Sequence, residues 1–121
     1  MKHREGTMLS RLSLSLFLSA LALAGCATKS PAPVADRAKA FGMRLVAYDP
    51  FVSAERAKQM GVELLPLDQA VAEADFLTVH LPKTKETTGL INRDLLVKAK
   101  PTLRVINVAR GGIVDEAALA E

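Results

Sequence analysis

The stretch that most constrains this chain is residues 105–116, VINVARGGIVDE. Its β-branched apolar residues Val105, Ile106 and Val108 read as a buried strand. Ala109-Arg110-Gly111-Gly112 then turns the backbone, and Asp115 caps a helix that starts at Glu116. Strand, tight turn and helix in that order suit a parallel sheet, whose neighbouring strands need a crossover between them. Open parallel sheets bind ligands at the carboxyl ends of their strands, so this order delivers Arg110 to the rim where an anionic substrate sits. A guanidinium there holds a carboxylate through two parallel hydrogen bonds. Taken alone, these residues equally suit a surface arginine beside a flexible turn.

The preceding residues repeat the pattern. Residues 34–41 (VADRAKAF) place Val34, Ala38 and Phe41 on one helical face with charges opposite, and Gly42 is the stop. Residues 43–48 (MRLVAY) are strand-like and end at Asp49-Pro50, because proline lacks the donor that pairing needs. Ser53 caps a helix through Met60, which Gly61 closes. A short strand over 62–65 and a helix over 67–74 follow, then a buried strand over 76–80 (FLTVH). After the threonine-rich loop 81–89, Asn92 caps a helix through Lys98, and Pro101 separates it from the last strand, 103–108. Strands alternating with helices at this spacing predict an α/β fold, a doubly wound parallel sheet with right-handed crossovers.

The charge balance excludes one class of partner. Sixteen Lys and Arg against 13 Asp and Glu give +3, and the pI is about 9.2. Lys2, Arg4 and Arg11 account for most of that excess, so the remainder is close to neutral and no basic patch for nucleic acid survives. The single cysteine, Cys26, excludes an intrachain disulfide, and with His3 and His80 far apart no metal framework is visible.

The first 26 residues read as an address. A basic segment (1–11) precedes an apolar one (12–23), and small residues lead into Cys26. The expectation is an apolar signal helix too short to span a bilayer comfortably. Leu-Ala-Gly-Cys at 23–26 resembles a bacterial lipobox, which implies lipidation of Cys26 and a membrane anchor; an incidental buried cysteine is the plainer reading. Residues 27–33 (ATKSPAP) then form a flexible tether, and 34–121 the folded domain.

AFGMRLVAYDP, ADFLTVHLPKTKETTGLIN and VINVARGGIVDEAAL together resemble the nucleotide-binding domain of the D-isomer-specific 2-hydroxyacid dehydrogenases, over residues 34–121. The resemblance implies a Rossmann domain that binds NAD and serves hydride transfer between it and a small 2-hydroxy or 2-oxo acid. It implies that Asp49 accepts hydrogen bonds from the adenosine ribose, against the plainer reading of a turn-forming aspartate before proline. It places Leu81 along the cofactor, mainly through its backbone, and Val108 and Ala109 near the nicotinamide. Arg110 matches the catalytic arginine that binds the substrate carboxylate and polarises its carbonyl. His80 is read as structural.

The chain departs from that pattern at its N-terminal side. Counting back from Val34, the places of the family's G-x-G-x-x-G hold Cys26, Thr28 and Pro31, and the first strand falls on 20–25 (ALALAG). The family's acidic residue and general acid/base histidine lie past Glu121. The expectation is therefore a dehydrogenase fragment inactive alone. The competing reading is an envelope lipoprotein that uses a dehydrogenase-derived module for binding. The N-terminus predicts an anchored or secreted chain, and the resemblance a cytoplasmic one.

Overall fold

A computed structural model describes residues 13–16 and 32–121. Its elements run β1 (Ser13–Leu16), α1 (Ala32–Ala40), β2 (Arg44–Ala47), α2 (Ala54–Gln59), β3 (Glu63–Leu64), α3 (Leu67–Glu73), β4 (Phe76–Val79), α4 (Arg93–Leu96), β5 (Arg104–Asn107) and α5 (Glu116–Leu119). The strands form one sheet in the order β3-β2-β1-β4-β5, with every pairing parallel. Each connection is therefore a crossover, and the strand order reverses between β1 and β4.

The expected signal helix is corrected at the residues described. Ser13–Leu16 is a strand in the middle of the sheet, pairing Ser13 with Arg44 on one side and Leu14 with Phe76 on the other. Two open strand edges offer four residues a full complement of backbone hydrogen bonds, and that tertiary pull outweighs leucine's helix preference. The strand expected over 20–25 lies outside the described residues, as do Cys26, Thr28, Pro31 and most of the expected tether. The helix already includes residues 32 and 33. Pro33 is tolerated there because an N–H in a helix's first turn has no intrahelical partner to lose.

β2 and β4 are buried from their second residue onward, so both faces of the sheet are covered there. One apolar cluster joins Ala35, Ala38, Leu45, Ala47 and Val62; the other joins Val71, Leu77, Val79, Leu81, Ile91, Ile113 and Val114. α1 meets the sheet through Ala35 and Ala38, whereas Val34 and Phe41, expected on its buried face, are exposed, Phe41 by 84%. The helix stops at Ala40 and Gly42 takes φ +73°, which swings Phe41 away from the alanine face. β5, expected to be buried, is largely exposed, with Ile106 at 42%. It is an edge strand, paired with β4 alone.

Caps set the other boundaries as expected. Ser53 Oγ accepts from Arg56 N–H, Asn92 Oδ1 from Leu95 N–H and Asp115 Oδ1 from Ala118 N–H. At the amino ends of β2 and β3, Arg44 pairs with Glu63 and Glu73 and so ties β2 to β3 and α3. The two carboxylates hold its guanidinium above the usual arginine range.

Candidate functional site

Parallel pairing turns three separate sequence signals into one edge. Asp49 follows the end of β2, His80 and Leu81 follow β4, and Val108, Ala109 and Arg110 follow β5. All six therefore belong to the carboxyl end of the same sheet, where such folds bind ligands.

Asp49 is nearly buried, at 8% exposure, and its Oδ1 accepts the Phe51 N–H at 2.8 Å. This Asx turn fixes the carboxylate's orientation and lets the chain leave the sheet through Pro50. A shallow depression beside it is lined by Ala47, Val52, Ala57, Met60, Val62 and Leu64. Phe51, which the sequence reading did not single out, stands 72% exposed beside that carboxylate. A phenylalanine directly after Asp49-Pro50, outside the apolar strand, was the signal available.

His80 shares a hydrogen bond with Thr78, Nε2 to Oγ1 at 3.0 Å, and burial pushes its pKa below the ordinary 6.5. It is a half-buried imidazole hydrogen-bonded within its own strand. Leu81 sends its side chain into the second apolar cluster, so its main chain is what it offers the rim.

The turn after β5 is stapled by Asn107. Its Oδ1 accepts the Ala109 N–H at 3.1 Å and its Nδ2 donates to the Arg110 carbonyl at 2.9 Å. Sequence reasoning passed over Asn107; an asparagine at a strand end ahead of a turn is the signal that marks it. Val108 is 66% exposed, Ala109 is half-buried, and Arg110 is exposed with its guanidinium donating to the Ala109 carbonyl at 2.9 Å. From behind, the Gly89 N–H donates to the Gly112 carbonyl at 2.7 Å, and Ile91 pairs with Val114 in a parallel bridge. Buried Ile91 and Ile113 lock that bridge to the core. Arg110 thus stands exposed on a braced turn, one guanidinium nitrogen held by the Ala109 carbonyl and its other donors left for an anion's oxygens.

Among the described residues, no three His, Cys, Asp or Glu side chains group so as to hold a metal ion, and no helix is long and apolar enough to cross a membrane.

Residues 15–121 match the family profile described as D-isomer specific 2-hydroxyacid dehydrogenase, NAD binding domain. This chain belongs to that family. Like other NAD-binding domains of the D-2-hydroxyacid dehydrogenases, it has a Rossmann-like parallel sheet. It is similar to the D-3-phosphoglycerate dehydrogenase of Mycobacterium bovis, 60% identical over 88 residues, which are 73% of this chain and 17% of that protein. With the D-3-phosphoglycerate dehydrogenase of Bacillus subtilis it shares 42% identity over 120 residues, 99% of this chain and 23% of that protein. Among solved structures, the D-lactate dehydrogenase of Aquifex aeolicus complexed with NAD and lactic acid superposes with a TM-score of 0.73 at 35% identity, over 90% of this chain and 30% of that one. The likeness to the Bacillus protein and the family profile both reach further toward the N-terminus than the resemblance over 34–121. The chain spans about a fifth of the length of these curated D-2-hydroxyacid dehydrogenase relatives.

Proposed function

We propose that this chain is the NAD-binding half-site of a D-3-phosphoglycerate dehydrogenase-like enzyme. The observation that carries the proposal is the convergence of Asp49 and Arg110 on one sheet edge, each held by a side chain-to-backbone hydrogen-bonded turn. The described residues suit a dinucleotide at both ends: a fixed carboxylate for ribose hydroxyls at β2, and an exposed apolar strand end at β5.

In this reading Asp49 accepts the ribose hydroxyls, and its charge disfavours a 2′-phosphate, which selects NAD over its phosphorylated form. Phe51 offers a flat apolar face beside that carboxylate for the adenine. Leu81 contributes main chain along the cofactor, and Val108 and Ala109 flank the nicotinamide. NAD supplies or accepts the hydride when bound. Arg110 is the catalytic residue: its guanidinium clamps the carboxylate of a 2-hydroxy or 2-oxo acid and stabilises negative charge developing on the carbonyl oxygen. The general acid/base that such a hydride transfer needs is assigned to no described residue.

Calorimetry with NAD on the full chain tests the reading, with circular dichroism establishing the fold. Saturable binding weakened about tenfold or more by Asp49→Ala, the loss of charge-assisted hydrogen bonds, is the expected result. A folded chain that does not bind NAD overturns it.

The Leu-Ala-Gly-Cys string supports a second reading, an envelope lipoprotein whose module binds a ligand at the membrane. Incorporation of labelled fatty acid into the wild-type chain and not into Cys26→Ser would establish it; a chain that stays unlabelled and unprocessed would rule it out.

A further inference from the structure

The Arg110 turn collects more positive potential than its arginine supplies. Lys83, from the loop after β4, lies over Gly112: its Nζ is 2.9 Å and its Cε 3.5 Å from where a Cβ at residue 112 would stand. A Cβ there would push the end of the lysine aside, and Gly112 also adopts φ +82°, a conformation other residues rarely take. Lys83, from the loop after β4, therefore reaches the turn after β5 that carries Arg110.

Nothing among the described residues neutralises them. The ion pairs of the described residues involve other cations, and neither Lys83 nor Arg110 faces a carboxylate within salt-bridge distance. The acids nearest in sequence are engaged elsewhere. Asp115 caps α5, and the Glu86 carboxyl is drawn below its ordinary range by Thr84.

The backbone adds donors. The N–H groups of Arg110, Gly111 and Gly112 donate to no described residue, and the space over Gly111 is open. Consecutive N–H groups in a turn that ends in a left-handed residue form a concavity for anions. The lysine's loop is held as well as the arginine's. Thr84 and Thr87 bond to each other's backbone N–H groups, and Thr87 Oγ1 donates to the Pro82 carbonyl at 2.7 Å, so both chain neighbours of Lys83 are fixed.

We propose that Lys83 and the N–H groups of Gly111 and Gly112, beside Arg110, form a phosphate-binding subsite at the carboxyl ends of β4 and β5. A planar carboxylate is satisfied by the arginine's fork. An ammonium and two amides arriving from other directions suit a group with three peripheral oxygens. Its assignment to a phosphorylated substrate or to the dinucleotide's pyrophosphate rests on the dehydrogenase reading; its affinity for phosphate does not.

The test is titration of the isotopically labelled full chain with inorganic phosphate at constant ionic strength, reading the Gly111 and Gly112 amide resonances. Saturable shifts are expected, with affinity lowered about tenfold by Lys83→Gln. Lys83→Arg should retain the affinity, and Lys85→Gln, one residue further along the loop, should leave it unchanged. Unaltered affinity in Lys83→Gln, an equal loss in Lys85→Gln, or shifts that never saturate would overturn the proposal. Competition then identifies the source: displacement of phosphate by 3-phosphoglycerate assigns the subsite to substrate, and displacement by NAD assigns it to the pyrophosphate. Displacement by neither reduces it to an adventitious anion site and overturns its role. A chain that binds phosphate through Lys83 but does not bind NAD would sink the dinucleotide half-site and leave the subsite standing.

Discussion

Two single residues, Asn107 and His80, shape the rim through hydrogen bonds within the chain. Asn107 makes both hydrogen bonds that shape the turn carrying Arg110. Asn107→Ala is expected to cost about 1–2 kcal/mol in urea unfolding, roughly the worth of two exposed hydrogen bonds, and to broaden the Gly111 and Gly112 amide resonances as the turn loosens. His80 gives the pH dependence. Burial lowers its folded pKa below the ordinary 6.5, so the unfolded chain binds the proton more tightly. The stabilisation is fully present above pH 6.5 and is lost as pH falls through the folded value. Urea midpoints measured from pH 7.5 downward should fall with a slope contributed by His80 of no more than about one proton, and His80→Gln should lack that contribution.

At the scale of elements, β4 is the strand whose packing matters most, because it is buried on both faces between β1 and β5. Leu77→Ala, at a side chain with no exposure, is expected to cost about 2–5 kcal/mol in urea unfolding, a large part of a small domain's margin. β2, β4 and the three capped helices were legible in the sequence because a buried strand needs consecutive apolar residues and a cap needs a specific side chain at one position. Where position in the sheet decides, the sequence was silent. The residues Val105, Ile106 and Val108 look the same in a central strand as in the edge strand β5, and the helical period that put Phe41 on a buried face ignores the glycine that ends the helix. Asp49 and Arg110 were found because their motifs are local. Lys83 was not, since its partner Gly112 is reached only by folding. Gly112→Ala should cost about 1–2 kcal/mol through its left-handed backbone and push Lys83 aside, which urea unfolding and the phosphate titration measure separately.

For the whole molecule, Ser13–Leu16 is an integral strand of the sheet that residues 32–121 build. β1 bridges β2 and β4, so a chain beginning at residue 27 loses the strand that, among the described residues, links the two halves of the sheet. Circular dichroism and urea titration should show cooperative unfolding for residues 1–121 and none for residues 27–121; equal cooperativity would mean the two halves close up without β1.

That central placement also sets a timetable. β1 leaves the ribosome before every other element, yet its second edge is filled only by Phe76–Val79, which are made much later. Until then the apolar segment is available to whatever binds nascent chains, and afterwards it is sequestered in the middle of a sheet. The time taken to translate from Leu16 to Val79 thus sets how long those four residues wait for their second partner.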